Sequence, residues 1–341
     1  MKFLAAVVAT IGIVAPYVLA LGLGIVGAHV WFASNIGGPM DPKSKTTIRY
    51  IVNPGANWKS IAYDLEEKGL LKNWWALYVI ARLSDEEIQL YPGEYDLSAA
   101  LSPVRIVKEF KNKDVVQYKI TIPEGTRNAD LAAIFSKAGL FTGEEIRLAL
   151  SDPSLRREFD IVGSSLEGYV FPQTYQFTKP VNARDVISKM IQEGLKLKTN
   201  ENVEKAIARG LTYYQAITLA SIVEKETAAA KERPLIASVF LNRLNLNMPL
   251  GSDPTVIYGI QNFDGNLTKQ HLQTPGPYNT YTAPGLPATP ICNPGTAAIE
   301  AVLNPAQSEY LFFVAKGDGT HIFAKTYKQH KENVDKYQRG L

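Results

Sequence analysis

Three observations in the sequence predict an α+β protein in which an N-terminal transmembrane helix is followed by small strand–helix modules and then by a larger mixed α+β domain. From Phe3 to Met40 there is no Asp, Glu, Lys or Arg, and Ala, Val, Leu, Ile and Gly dominate. A strand–turn–helix pattern then occurs twice in succession. From about Ile161 onward the texture changes to motifs rich in aromatics, Gly and Pro, interrupted by helices.

The N-terminal element, residues 1–33, exceeds the roughly 20 apolar residues that cross a bilayer. A cleavable signal peptide usually carries an apolar core of only about 7–15 residues, so a retained single-pass anchor is the expectation. Lys2 lies on one side of it and Lys43, Lys45 and Arg49 on the other, so charge alone does not orient it. Residues 34–45, rich in Gly, Pro, Asn and Ser, read as a linker.

The first module spans residues 46–115. TTIRYIV alternates as a strand does, NPGANWKSIAYDLEEKGLL reads as a turn and an amphipathic helix, WWALYVIARL as a second helix, and YPGEYDL as a turn into a strand. The second spans residues 116–160 and opens with VVQYKITIPEGTRNADLAAIFSKAGL, which repeats the order strand, Pro-containing turn, helix and closing Gly-Leu. Such units resemble LysM-type modules, which bind N-acetylated glycans; a generic strand–helix packing unit is the alternative. Thr142 to Phe159 reads as polar and helical, and residues 161–341 form the domain to which the chemistry is assigned.

Composition narrows the chemistry. With 341 residues, 46% hydrophobic and 20% charged, the chain is of ordinary globular make-up. A net charge of +3 without a dense Lys/Arg stripe excludes an obligate nucleic-acid binder and leaves an anionic polymer as a compatible partner. Cys292 is the single cysteine, so one chain builds neither a disulfide nor a thiolate zinc site. The four histidines, His29, His271, His321 and His330, show no HExxH spacing, so neither a metal centre nor a cofactor is expected.

Candidate chemistry centres on a predicted helix from Thr212 to Lys231, TYYQAITLASIVEKETAAAK. At roughly 100° per residue, Leu219, Ile222 and Val223 define one side; Glu226 projects close to its centre, and Glu224 and Lys225 point well away. A carboxyl group among apolar neighbours has its charged form disfavoured and can stay protonated near neutral pH, as a general acid for glycosidic cleavage must. The alternative is a structural glutamate paired with Arg233 or Arg243. In LEGYVFPQTYQF, Glu167 lies beside Tyr169, Phe171 and Tyr175, flat rings suited to sugars. SDPTVIYG and TPGPYNTYTAPGLPATPICNPG place Asp253, Thr255, Tyr258, Tyr278, Asn279 and Thr280 in expected loops.

Together LASIVEKETAAAKERPLIASVFLNRL, DPTVIYG, TPGPYNTYTAPGLPATPICNPG and FFVAKGDGTHIF closely resemble the YceG-like family of endolytic murein transglycosylases, and the likeness runs in order along nearly the whole chain. The resemblance implies cleavage of the β-1,4 bond between N-acetylmuramic acid and N-acetylglucosamine inside nascent peptidoglycan strands, leaving 1,6-anhydromuramoyl ends and terminating elongation. It also implies that the second glutamate of EKET, Glu226, is catalytic as both acid and base. Glu167 then has a supporting role, and Tyr175, Asn242, Asp253, Thr255, Tyr278 and Asn279 are candidates for substrate contacts. The implied location is the cytoplasmic membrane, with the catalytic domain on the extracytoplasmic side and peptidoglycan synthases (penicillin-binding proteins) as possible partners. One departure stands out: where members often read FPDTY, this chain has Gln173, which keeps an acceptor but loses a charge.

Other signals carry less. Gly22, Gly24 and Gly27 match a dinucleotide fingerprint, yet they lie in the apolar segment with no preceding strand. Ala20, Gly24 and Ala28 fit a helix-packing face toward a membrane partner instead. His321 reads as a loop histidine, and Ser221 and Ser252 lack the GxSxG turn of a serine nucleophile. Two rival functions remain: a muramidase-type hydrolase, with Glu167 or Asp253 as second carboxylate, and a non-catalytic peptidoglycan-binding scaffold.

Overall fold

The computed structural model describes residues 17–28, 30, 37–83, 90–227 and 229–339. Residues 17–28 and 30 are helical, and among the described residues no helix is long and apolar enough to cross a membrane. Much of the predicted span 1–33 lies outside the described residues. The chain divides into two compact units, residues 1–117 with 177–180, and residues 118–176 with 181–341.

In the first unit, β1 (Thr47–Val52) and β2 (Gly93–Ser98) pair antiparallel, from Thr47 opposite Ser98 to Val52 opposite Gly93. Tyr50 and Val52 turn inward while Ile51 is exposed, the period of two that one buried face dictates. Helix α1 (Trp58–Glu67) starts at Asn57, whose side chain accepts from the N–H of Ser60. Helix α2 (Trp74–Leu83) follows, and α3 (Pro103–Asn112) is capped by Ser102 with Pro103 in its first turn. The periodicity above does not include α3, although Ser-Pro before an amphipathic run is a start signal. Leu65, Leu77, Leu97, Ile106 and Phe110 are fully enclosed between these elements. Each such side chain contributes roughly 1.5–3 kcal/mol of burial free energy. Gly93 is required at its position, because a Cβ there would collide with Val115 Cγ1.

The second unit opens with β3 (Tyr118–Thr121), which pairs with β4 (Thr174–Phe177). Between them lie α4 (Asn128–Ala138), α5 (Gly143–Ser151) and α6 (Pro153–Glu158). The predicted helical stretch from Thr142 to Phe159 is therefore two helices, since Pro153 lacks the N–H that would continue the first. A capping box between Thr142 and Glu145 starts α5. Helices α7 (Ala183–Leu195) and α8 (Asn200–Ala208) lead into α9 (Tyr213–Glu226).

Helix α9 organises this unit. Thr212 and Gln215 form its capping box, and Ala216 through Val223 are all buried. A helix enclosed on every side has no polar face, unlike the amphipathic helices of the first unit. It is packed by α8, by α10 (Arg233–Asn245), by α11 (Asp253–Gly259) and by α13 (Thr296–Leu303). Helix α12 (Lys269–Gln273) lies between the last two in sequence. An antiparallel hairpin, β5 (Phe312–Ala315) and β6 (His321–Ala324), and α14 (Tyr327–Val334) complete the unit. The expected helix from Thr212 to Lys231 ends at Glu226 instead. Thr227 turns extended (φ −145°, ψ 134°), and a short 3-10 turn, Ala230–Glu232, leads into α10.

Candidate active site

The two glutamates of EKET serve different ends. Glu224, two residues before the end of α9, was expected to point away from the interior, but its side chain is only 6% exposed. It pairs with Arg233 at 3.1 Å and accepts the N–H of Gly295 at 2.9 Å. Gly295 is the N-cap of α13 and has no side chain to offer, so the Glu224 carboxylate supplies the anion that this helix start favours. Lys225 is exposed as expected, but Arg233 and the start of α13 close over Glu224, so it is buried. Arg233 therefore belongs to Glu224, not to Glu226.

Glu226 is the last residue of α9 and is half-buried, enclosed but not sealed from an incoming polymer. Ser252 donates its hydroxyl to Glu226 Oε1 at 2.5 Å. The segment that presents Ser252 is held by hydroxyls and backbone. Gly251 N–H donates to the Thr280 carbonyl (2.9 Å), Ser252 N–H donates to Thr280 Oγ1 (3.0 Å), and Thr255 Oγ1 donates to the Ser252 carbonyl (2.7 Å). Gly251 has φ +58°, a backbone conformation that side-chain-bearing residues rarely adopt, so glycine serves the backbone here.

Next to Ser252, Asp253 is exposed and accepts from the Tyr281 hydroxyl at 2.7 Å. From α10, Arg243 donates to the carbonyls of Leu311 (2.6 Å) and Leu250 (2.5 Å). On β6, His321 Nδ1 meets Glu232 Oε2 at 2.7 Å, and its backbone N–H donates to Glu232 Oε1 at 3.1 Å.

Burial is the largest influence on Glu226 and raises its pKa above the ordinary carboxylate value. The hydrogen bond from Ser252 opposes this, the charge of Asp253 adds to it, and His321 and Arg243 oppose it. The carboxyl-terminal end of a helix is also an unfavourable place for a negative charge. Burial likewise disfavours the charge of Arg243. The net result is a carboxyl group whose protonated form is favoured more than that of an exposed glutamate, with the Arg243 guanidinium among the groups that favour its charged form once the proton leaves.

Glu167 lies elsewhere. It is 4% exposed, accepts the N–H of Asn128 at 3.0 Å and receives the Tyr258 hydroxyl at 3.0 Å. Arg127, the N-cap of α4, makes no side-chain cap bond, so Glu167 caps that helix from 39 positions away. Desolvation pushes its pKa up to about 7, against the lowering effect of these donors. Asn293 ties the same region together, accepting from the N–H groups of Gly168 and Val170 and donating to the Thr126 carbonyl and Asn128 Oδ1.

The other expected site residues divide. Asp253 acts on Glu226 through its charge, whereas Thr255 is fully buried and bonded to the Ser252 carbonyl and Thr280; with Tyr258 both belong to helix α11 and not to a loop. Asp253-Pro254 at the start of that run was the signal that could have shown it. Asn242 donates to the carbonyls of Ser308 and Tyr310. Asn279 donates to the carbonyls of His271, Leu272 and Thr274, closing the end of α12. Tyr278 shares a hydrogen bond with Thr289 and packs edge-on against Tyr258. Tyr175 is 3% exposed and donates to the Phe171 carbonyl, so its ring is core and not a sugar platform. Ser252, Tyr281 and Arg243 are the neighbours that sequence reasoning did not place in the site.

The model of the YceG-like family matches residues 50–336. An endolytic murein transglycosylase of Bacillus subtilis (strain 168) is 29% identical over 333 residues, covering 92% of this chain and 91% of that protein. One from Streptococcus pneumoniae serotype 2 (strain D39) is 28% identical over 328 residues, covering 87% of this chain and 59% of that protein. A 2.6 Å crystal structure of a yceG-like protein from Listeria monocytogenes superposes with a TM-score of 0.58 at 30% identity, covering 85% of this chain and 99% of that one. In sequence over most of its length, and in fold, the chain belongs to the YceG-like family.

Proposed function

We propose that the chain is an endolytic murein transglycosylase, a lyase that cuts the β-1,4 bond between N-acetylmuramic acid and N-acetylglucosamine within glycan strands, with Glu226 as its acid and base. The observation that carries this reading is a half-buried carboxyl, kept protonatable by burial, at the end of the most enclosed helix. The relatives named above are endolytic murein transglycosylases.

Glu226 gives its proton to the glycosidic oxygen as the bond to the muramoyl anomeric carbon breaks. The resulting carboxylate, with Arg243 and His321 nearby, then takes the proton of the muramoyl 6-hydroxyl as that oxygen attacks the anomeric carbon. Atoms balance without water, and the product end is a 1,6-anhydro sugar. Asp253 and Tyr281, exposed beside Glu226, are the groups best placed for sugar contacts. A muramidase needs a second carboxylate, and Glu167 is committed to capping α4, which leaves Asp253 as that reading's candidate.

The apolar N-terminal stretch supports a single-pass anchor in the cytoplasmic membrane with the catalytic unit outside the cytoplasm, and the strand–helix modules support a LysM-like glycan-holding role. Both readings support cleavage close to the membrane where new strands emerge, with termination of elongation as its consequence.

Mass analysis of fragments released from uncrosslinked peptidoglycan tests this directly. Anhydromuramoyl ends at internal positions are expected. Hydrated reducing ends would mean a muramidase, and binding without any fragments would mean a scaffold.

A further inference from the structure

Ser252 occupies the N-cap of α11, where a serine ordinarily accepts an N–H from the first turn. It makes no such bond. Its hydroxyl is turned instead to Glu226 Oε1. Its N–H is held by Thr280, its carbonyl by Thr255, and the hydroxyls of Thr255 and Thr280 lie 2.9 Å apart, so little freedom is left in the segment. Ser252 itself is 2% exposed. Among the described residues, Glu226 Oε2 has no hydrogen-bond partner.

We infer that Ser252 is a positioning residue that distinguishes the two oxygens of Glu226, holding Oε1 so that Oε2 alone delivers the proton to the glycosidic oxygen and takes one back from the 6-hydroxyl. A single carboxyl used twice must keep one orientation across both steps, because the leaving oxygen and the attacking hydroxyl act on the same anomeric carbon. A hydroxyl bond to one oxygen supplies that constancy, as it can be made to the carboxyl in either protonation state. The inference rests on the transglycosylase reading.

The pH profile separates positioning from a merely structural role. Ser252 donates to the charged form, so removing it raises the pKa of Glu226, and the alkaline limb of activity, where the acid is lost, moves up. The other ionisable groups acting on Glu226 are Asp253, Arg243 and His321, with Tyr281 beside Asp253, and none of them is altered in the variants.

The test is anhydro-end formation against pH for the full chain and for Ser252→Ala, Ser252→Thr and Ser252→Cys. Ser252→Ala should lose roughly 10–100-fold in kcat and move its alkaline limb up by about one pH unit. Ser252→Thr, which keeps the hydroxyl, should return the limb to the parent's position. Should Ser252→Ala fail to fold, Ser252→Cys, with its weak donor, should show a smaller shift in the same direction. A variant without the hydroxyl whose limb coincides with the parent's overturns the inference while leaving the transglycosylase reading standing. A folded parent that forms no anhydro ends overturns both.

Discussion

Glu224 and Glu226 stand two positions apart, yet their surroundings assign them opposite work. Glu224 completes a buried pair with Arg233 and caps α13, so Glu224→Ala strands a buried guanidinium and an unpaired N–H. A loss of about 3–5 kcal/mol in unfolding free energy is expected, read by denaturant titration. A loss under about 1 kcal/mol would show that the pair is not structural. The sequence revealed Glu226 because apolar residues three and four positions away point to its face. It could not reveal Glu224, whose role depends on Arg233 across a turn and on Gly295 far along the chain. The same holds for Glu167, for which the resemblance implies only a supporting role. Its partners, Asn128 and Tyr258, come from distant segments that no local pattern joins.

At the scale of elements, α9 shows how a helix can hold a carboxyl in place by being buried all round. Leu219 is fully enclosed within it, and Leu219→Ala should cost about 2–5 kcal/mol through lost burial and the cavity left behind. Thermal or chemical unfolding checks this; a cost below about 1 kcal/mol would mean that the surrounding helices collapse into the gap. Most strands and helices were legible from periodicity, since β1, α1, α2 and α4 alternate or repeat as their burial demands. Ends were less legible. Helix α9 stops at Glu226 because Thr227 turns extended, a conformation nothing in EKETAAAK announces. Helix α11 is too short for periodicity to reveal, although its Asp-Pro start carried the information.

Across the whole molecule, two carboxyls with raised pKa each make stability fall as pH rises. Glu167 has a folded pKa of about 7, above its unfolded value, and Glu226 is also raised. Such groups bind protons more tightly when folded, so their contribution is fully present below the unfolded carboxylate pKa and is lost as pH rises through the folded one. The contribution of these two groups to melting temperature should therefore fall between about pH 4.5 and pH 7, opposed by His330, whose pKa burial lowers. Glu167→Gln, which keeps one acceptor for Asn128 or Tyr258, should flatten that slope; an unchanged slope would show that Glu167 does not titrate there. Family membership and the glycan-cleaving reading were legible because the motifs lie close together in sequence, whereas the hydroxyl scaffold around Ser252 joins residues from 252 to 280 and emerges only in three dimensions.

The proposed reaction uses one carboxyl group, Glu226, to cleave glycan strands without consuming water. Its most direct test is digestion of uncrosslinked strands in water labelled with heavy oxygen, by the parent and by Glu226→Gln, with mass analysis of the new ends. The parent should yield unlabelled anhydromuramoyl ends, and the folded variant should form them at least about 100-fold more slowly. Labelled reducing ends, or equal rates from the two proteins, would contradict the account.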